Sequence, residues 1–139
     1  MERRAFVGEQ RIEHCEALLK PIETFTHRTQ LDPEGIALGR ERIYISSEGE
    51  AKVGLAPFVQ EFDLQGRFLR ELPLPKRYLP QAGADAGVRD NLGLESLALS
   101  PDGRYLFSGA ENGLAQESPV AAPGVASLSR LLRWDLERG

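Results

Sequence analysis

The chain has one cysteine, Cys15, among its 139 residues. An intramolecular disulfide is therefore impossible, and a zinc site built from several thiolates is excluded. Histidine is nearly as scarce: His14 and His27 are the only two, and they have no Gly-x-Ser-x-Gly elbow to serve. A serine-hydrolase triad has no footing, and both imidazoles read as surface groups. The sequence contains neither Gly-x-x-x-x-Gly-Lys-Ser/Thr nor Gly-x-Gly-x-x-Gly, so no nucleotide cofactor is indicated. Between Met1 and Cys15 stand Arg3 and Arg4, but no apolar run of the roughly 7–15 residues that an export signal needs. No long hydrophobic run suggests a membrane partner, and no run of one charge sign forms a tail. The 17 Lys and Arg residues are scattered and the net charge is −4, which argues against a surface that neutralises nucleic-acid phosphates.

What is present is the material of one ordinary domain, with 41% hydrophobic and 27% charged residues. From Leu31 onward, short runs of Ile, Leu, Val, Phe and Tyr alternate with turns of Gly, Pro and Asp, the pattern of strands and hairpins. Ile36–Leu38 and Ile43–Ser46 are expected to pair about Gly39–Arg42. Phe58–Leu64 and Arg67–Leu72 are expected to pair about Gln65 and Gly66. Pro73 and Pro75 end the last of these, because proline cannot donate to a ladder. The Gly and Ala content of Gln81–Gly87 gives the loop from Lys76 to Arg89 a mobile character. Upstream, Ile12–Leu19 is amphipathic, and Cys15 within it reads as a small buried hydrophobe rather than a reactive thiol.

The strands recur. Glu34-Gly35-Ile36-Ala37-Leu38 returns as Glu95-Ser96-Leu97-Ala98-Leu99, and Tyr44–Glu48 returns as Phe107–Glu111 after a turn two residues longer. Phe62-Asp63-Leu64 returns as Trp134-Asp135-Leu136, the added residues falling in the loop from Gln116 to Ser127. Turns absorb such insertions at little cost. Repeats of about 40–50 residues with four strands each mark propeller blades, and long loops stretch that period. The expectation is a mainly β chain, a partial β-propeller of about one and a half blades of antiparallel strands. It forms a single incomplete domain over 1–139, with one copy at 31–75 and a second, truncated copy at 91–139. Chance likeness between two hairpins of a sandwich is the alternative. Trp134 is expected to fill space between blades. The second copy is expected to lack the strand matching Arg67–Leu72, which leaves an open edge and invites self-association.

The acids recur with the strands. Symmetric hairpins would set Glu34 opposite Glu48 and Glu95 opposite Glu111. Like charges across a strand pair are destabilising, so the recurrence is explained if a hard cation lies between them, and Asp32 adds another oxygen. The other reading is that all five are solvated acids at strand ends. Arg89 and Asn91 flank the second acidic segment and are candidates for an anionic substrate or for a loop salt bridge.

Asp32-Pro33-Glu34-Gly35-Ile36-Ala37, Ser46-Ser47-Glu48-Gly49, Asn91 to Gly103 and Glu111-Asn112-Gly113-Leu114, in that order, resemble the phytase-like family described as having esterase-like activity. Phe62–Arg67 with Leu72–Pro75 looks like that family's linking segment, so the likeness covers Leu31 to Gly139. It implies a propeller related to calcium-dependent phytases. In these, acids lining the channel hold metal ions that bind and activate phosphate esters. Carried over residue by residue, the metal ligands are Asp32, Glu34, Glu48, Glu95 and Glu111, with calcium as cofactor and a small ester or phosphate ester as substrate. Family members usually have Gly where this chain has Ser96, and they are longer, the likeness being to their middle. The expected function is that of a fragment of a metal-dependent ester or phosphoester hydrolase, with weak calcium binding and little turnover alone. The alternative is a non-catalytic segment serving as a binding or assembly surface. A full-length relative's export would not be visible in this chain, so localisation stays open.

Overall fold

The computed structural model describes residues 32–81 and 85–138. The readings of His14, His27, Cys15 and Ile12–Leu19, with Leu31, Gly139 and the centre of the Gln81–Gly87 loop, lie outside the described residues. The described chain is mainly β: seven strands in two antiparallel sheets, with two single-turn 3-10 helices at Ala51–Val53 and Lys76–Tyr78. The first sheet runs in chain order through β1 (Pro33–Leu38), β2 (Ile43–Ser47), β3 (Phe58–Phe62) and β4 (Phe68–Glu71). The second runs through β5 (Ala98–Leu99), β6 (Tyr105–Gly109) and β7 (Leu131–Asp135). Neither closes into a barrel.

Turn chemistry sets these boundaries. After β3, Asp63 Oδ1 accepts from the N–H groups of Gln65 (3.0 Å) and Arg67 (2.9 Å), while Gly66 takes the left-handed φ of 78° that a side chain would resist. Hydrogen bonds from the Arg67 and Gln65 backbone, with the Arg67 guanidinium, hold the Asp63 carboxyl below its usual range. Between β5 and β6, Ser100-Pro101-Asp102-Gly103 closes through Gly103 N–H to Ser100 O at 2.8 Å, and the Ser100 hydroxyl accepts from Tyr105 N–H at 2.9 Å.

Pairing register carries the repeat into three dimensions. Ala37 pairs with Tyr44 and Tyr44 with Glu61 in the first sheet; Ala98 pairs with Phe107 and Phe107 with Arg133 in the second. Likewise Ile43 faces Phe62, and Leu106 faces Trp134. The correspondences read from the sequence are therefore those of the ladders, including the longer second turn.

Period-2 alternation gives β2 and β3 two buried faces. Ile43, Ile45, Phe58 and Phe62 pack on one side with Leu64. On the other, Ala37, Tyr44, Val59 and Leu72 meet Leu94, Leu106, Leu114 and Trp134, so the main core lies between the two sheets. The connection from β4 to β5 is part of that core rather than a free loop. Tyr78 and Val88 are buried in it, and Val88 N–H donates to Tyr78 O at 3.0 Å. Trp134 fills space between the sheets, as its size requires, and its indole N–H donates to Pro73 O at 2.8 Å. An ion-pair ladder lies on the same face as Tyr44 and Val59: Glu61, 6% exposed, takes Arg42 on one oxygen (3.0 Å) and Arg70 on the other (2.5 Å). Burial beside Glu61 pushes the Tyr44 phenol up to about 12.

Two substitutions weigh packing against hydrogen bonding at the junction of the sheets. Leu106→Ala removes a side chain with no exposed surface and is expected to cost about 2–5 kcal/mol. Trp134→Phe keeps most of the ring but drops the bond to Pro73, and is expected to cost about 1 kcal/mol. Urea denaturation of the two variants checks the order; a larger loss for Trp134→Phe would show that the hydrogen bond, not the core, holds the sheets together.

Candidate functional site

The five recurrent acids gather where the two sheets approach each other, at the end of β1 and β2 away from their connecting turn. A bulge in the β1–β2 ladder between Pro33 and Gly35 gives Glu34 a place of its own in the strand. Bulges bend the strand and re-aim side chains, here one of the candidate ligands. Gly35 is needed beside it: a Cβ there would lie 2.6 Å from Ser46 Oγ and 2.8 Å from Leu97 N, so only glycine lets β1 come this close to the chain entering β5. In the second sheet Leu94 bridges Ala110, Glu95 N–H donates to Gly109 O (3.1 Å) and Glu111 N–H donates to Gly93 O (2.9 Å). Glu95, ahead of β5, and Glu111, just past β6, are thus held on adjacent segments.

Glu48 joins the sheets. It is 3% exposed, and its Oε2 accepts the Gly93 N–H at 3.0 Å. A Cβ on Gly93 would fall 2.6 Å from the Glu48 Cβ, so this contact requires the glycine. In the sequence, only its place two residues before Glu95 singles Gly93 out.

Asp32, Glu34 and Glu48 each offer a carboxylate oxygen, and these atoms lie within 4.8 Å of one another. The two expected mouths are not equivalent: this trio is tight, and Glu95 and Glu111 approach it from the other sheet. Desolvation, then the negative charges of Glu34, Glu48, Glu111 and Asp32, push Glu95 up to about 7. Desolvation, then the negative charges of Asp32 and Glu48, raises Glu34 as well. Among the described residues no Lys or Arg forms an ion pair with any of the five. This is a cluster of unbalanced negative charge, and its Asp32, Glu34 and Glu48 oxygens could hold a metal ion.

Arg89 and Asn91 sit on the approach to Glu95. Arg89 donates to Ser118 O (2.7 Å) and Ala115 O (3.4 Å), with Asp85 3.9 Å away, so its guanidinium clasps the loop after Glu111. Asn91 is exposed and holds a left-handed φ of 57° in the turn that bridges Arg89 to Leu92. Asn112, which stands in the Glu111-Asn112-Gly113-Leu114 motif without an expected role, is the hub of the same loop. Its buried Oδ1 accepts from Gly113 N–H (3.1 Å), Ala121 N–H (3.1 Å) and Ser127 Oγ (3.0 Å), which braces the backbone next to Glu111.

A family model described as Phytase-like, esterase-like activity of phytase, matches residues 8–139, reaching further toward the N-terminus than the motifs from Leu31 onward. No curated protein and no solved structure matches the chain.

Two measurements test the geometry. Glu95 is raised in the fold, so between its ordinary value of 4.5 and about 7 the folded chain holds a proton that the unfolded chain has released. The resulting stability is full below 4.5 and lost as pH rises through 7. In a chelator, the thermal midpoint is expected to fall across that window, and Glu95→Gln is expected to flatten the fall; a midpoint rising with pH there would contradict the crowding. Gly93→Ala is expected to cost about 1–3 kcal/mol through overpacking against Glu48, read by denaturant unfolding beside Gly54→Ala. At Gly54 an added Cβ meets nothing, although its φ of 78° still carries strain.

Proposed function

The chain belongs to the phytase-like family, esterase-like activity of phytase, and we propose that it binds a calcium-type cation at Asp32, Glu34, Glu48, Glu95 and Glu111 and there hydrolyses an ester or phosphate ester. The observation that carries the proposal is the trio of carboxylates whose oxygens lie within 4.8 Å of one another. Repulsion among them is relieved by a cation, and oxygen-only donors select a hard one.

When bound, such an ion supplies Lewis-acid polarisation of a phosphoryl or acyl oxygen. The chain's own residues do the rest. Glu48, held by the Gly93 amide, gives a fixed carboxylate; Glu34 is aimed by its bulge; Asp32 lies at the mouth. Glu95 takes up or releases a proton near neutrality as the local charge changes. Asn91 is the exposed polar group offered to substrate, and Arg89 holds the loop that borders it.

We read the two sheets as neighbouring blades of a propeller, with β1 and β5 as inner strands. What supports this is their mutual approach, the sequential order within each sheet and the shared register. The isolated chain is expected to be a weak enzyme. A second reading, a non-catalytic binding or assembly segment, is favoured by one observation: β7 presents exposed side chains, Leu131 at 72% and Arg133.

Calcium titration followed by thermal shift tests the first reading, and the rise in midpoint is expected at roughly millimolar rather than micromolar calcium, the weak end of known sites. Glu34→Gln and Glu95→Gln together are expected to raise the metal-free midpoint, because repulsion is removed, and to abolish the calcium response. Calcium-dependent hydrolysis of a generic phosphate ester should vanish in the same variant. An undiminished calcium response there would sink the proposal.

A further inference from the structure

Among the described residues, four buried side-chain polar atoms have no hydrogen-bond partner: Nε of Arg89, Nε of Arg104, and the hydroxyls of Ser46 and Ser108. The two guanidiniums donate elsewhere through their other nitrogens. The two serines have no second polar atom to offer, and Ser46 is 0% and Ser108 1% exposed. A hydroxyl taken out of water without a partner is costly, so folded interiors almost always satisfy it.

Register places both hydroxyls in the seam between the sheets. Ser46 follows Tyr44 on the same face of β2 and pairs with Val59, and Tyr44 and Val59 belong to the inter-sheet core. Ser108 follows Leu106 on the same face of β6 and pairs with Leu132, and these too are part of that core. Both strands run on toward the acids: Glu48 is the next residue on the Ser46 face, and Glu111 lies just past the end of β6. The chain entering β5 brings the two together. The point that a Cβ on Gly35 would take is 2.6 Å from Ser46 Oγ and 2.8 Å from Leu97 N, and Leu97 precedes Ala98, whose partner Phe107 precedes Ser108.

The repeat shows that this polarity is not forced by the backbone. Ser108 holds the place that Ile45 holds in the first sheet, where the side chain is 1% exposed and packs among Ile43, Phe58 and Phe62. The strand position accepts an apolar residue, yet the second copy buries a hydroxyl there. A third hydroxyl nearby is already engaged, since Ser96 Oγ accepts the Gly109 N–H at 3.1 Å. Ser46 and Ser108 are therefore the free polar pair, one layer beneath the carboxylates and one layer above Tyr44 and Leu106.

We infer that Ser46 and Ser108 hold an internal water between the two sheets, directly beneath the acid cluster. Each hydroxyl both donates and accepts, so a single water has the two protein partners that it needs to stay in an interior. Full burial of both side chains fits an occupant of that size rather than a substrate. The water ties β2 to β6, as the Gly93 amide ties Glu48 to the second sheet one layer above.

The test uses the full chain in chelator, so its outcome does not depend on any cation. Magnetic relaxation dispersion of water oxygen counts internal waters of long residence, and the parent is expected to hold one more than the Ser46→Ala/Ser108→Ala double variant. Thermal midpoints give a second reading. Each single alanine loses the bridge and strands the other hydroxyl, so each midpoint is expected to fall by roughly 2–8 °C; the double variant strands nothing and is expected to regain part of the loss. In a dry seam each alanine would instead remove an unpaired hydroxyl and raise the midpoint. In the parent alone, cross-relaxation from a long-lived water to the Ser46 and Ser108 protons reads the site without any variant. Its absence, an unchanged water count in the double variant, or a rise in both single variants overturns the inference.

Discussion

The contact on which most of the arrangement depends is the hydrogen bond from Gly93 N–H to the buried Glu48 carboxylate. A carboxylate taken out of water must be paired or hydrogen-bonded, and here the partner is a backbone amide of the other sheet. That single requirement sets several others. Position 93 can carry no side chain, Gly35 must let β1 close on the chain entering β5, and the remaining acids come to lie around Glu48. The fold tolerates the crowding because the inter-sheet core beneath it is apolar, with Leu94, Leu106 and Leu114 removed from solvent.

Stability and function pull against each other at this place. Packing between the sheets favours close approach, while the charges of Asp32, Glu34, Glu48, Glu95 and Glu111 oppose it. The opposition is registered in the raised Glu95 and Glu34. Elsewhere the chain pairs its buried charge: Glu61 with two arginines, Asp63 with the Arg67 backbone and guanidinium, Glu117 with Arg130. The contrast is what supports reading the acid cluster as a place for a ligand of positive charge.

Much of this was legible beforehand, for identifiable reasons. Strand period and turn residues are local, so the hairpins about Gly39–Arg42 and Gln65-Gly66 could be placed to within one to three residues, the start of β1 at Pro33 being the largest miss. Repetition supplied the second sheet, and with it the acids. Other features were hidden because they depend on partners distant in the chain. The β1 bulge that separates Glu34 from a symmetric pairing with Glu48 has no signature in Pro33-Glu34-Gly35. The loop of Lys76–Arg89 reads as mobile by composition, yet Tyr78 and Val88 anchor it in the core. Asn112 is an ordinary asparagine until Ala121 and Ser127 are folded back onto it.

The amino-acid order by itself determined the strands, their turns, the register of the repeat and which carboxylates recur, because each rests on spacing along one stretch of chain. Only the tertiary structure decided that these carboxylates form one unequal cluster rather than two matched mouths. It also decided that the Arg89 guanidinium clasps the loop after Glu111. The physical reason is the same in each case: charge repulsion, burial and hydrogen-bond satisfaction are set by atoms that approach across the fold, and spacing along the chain carries no record of them.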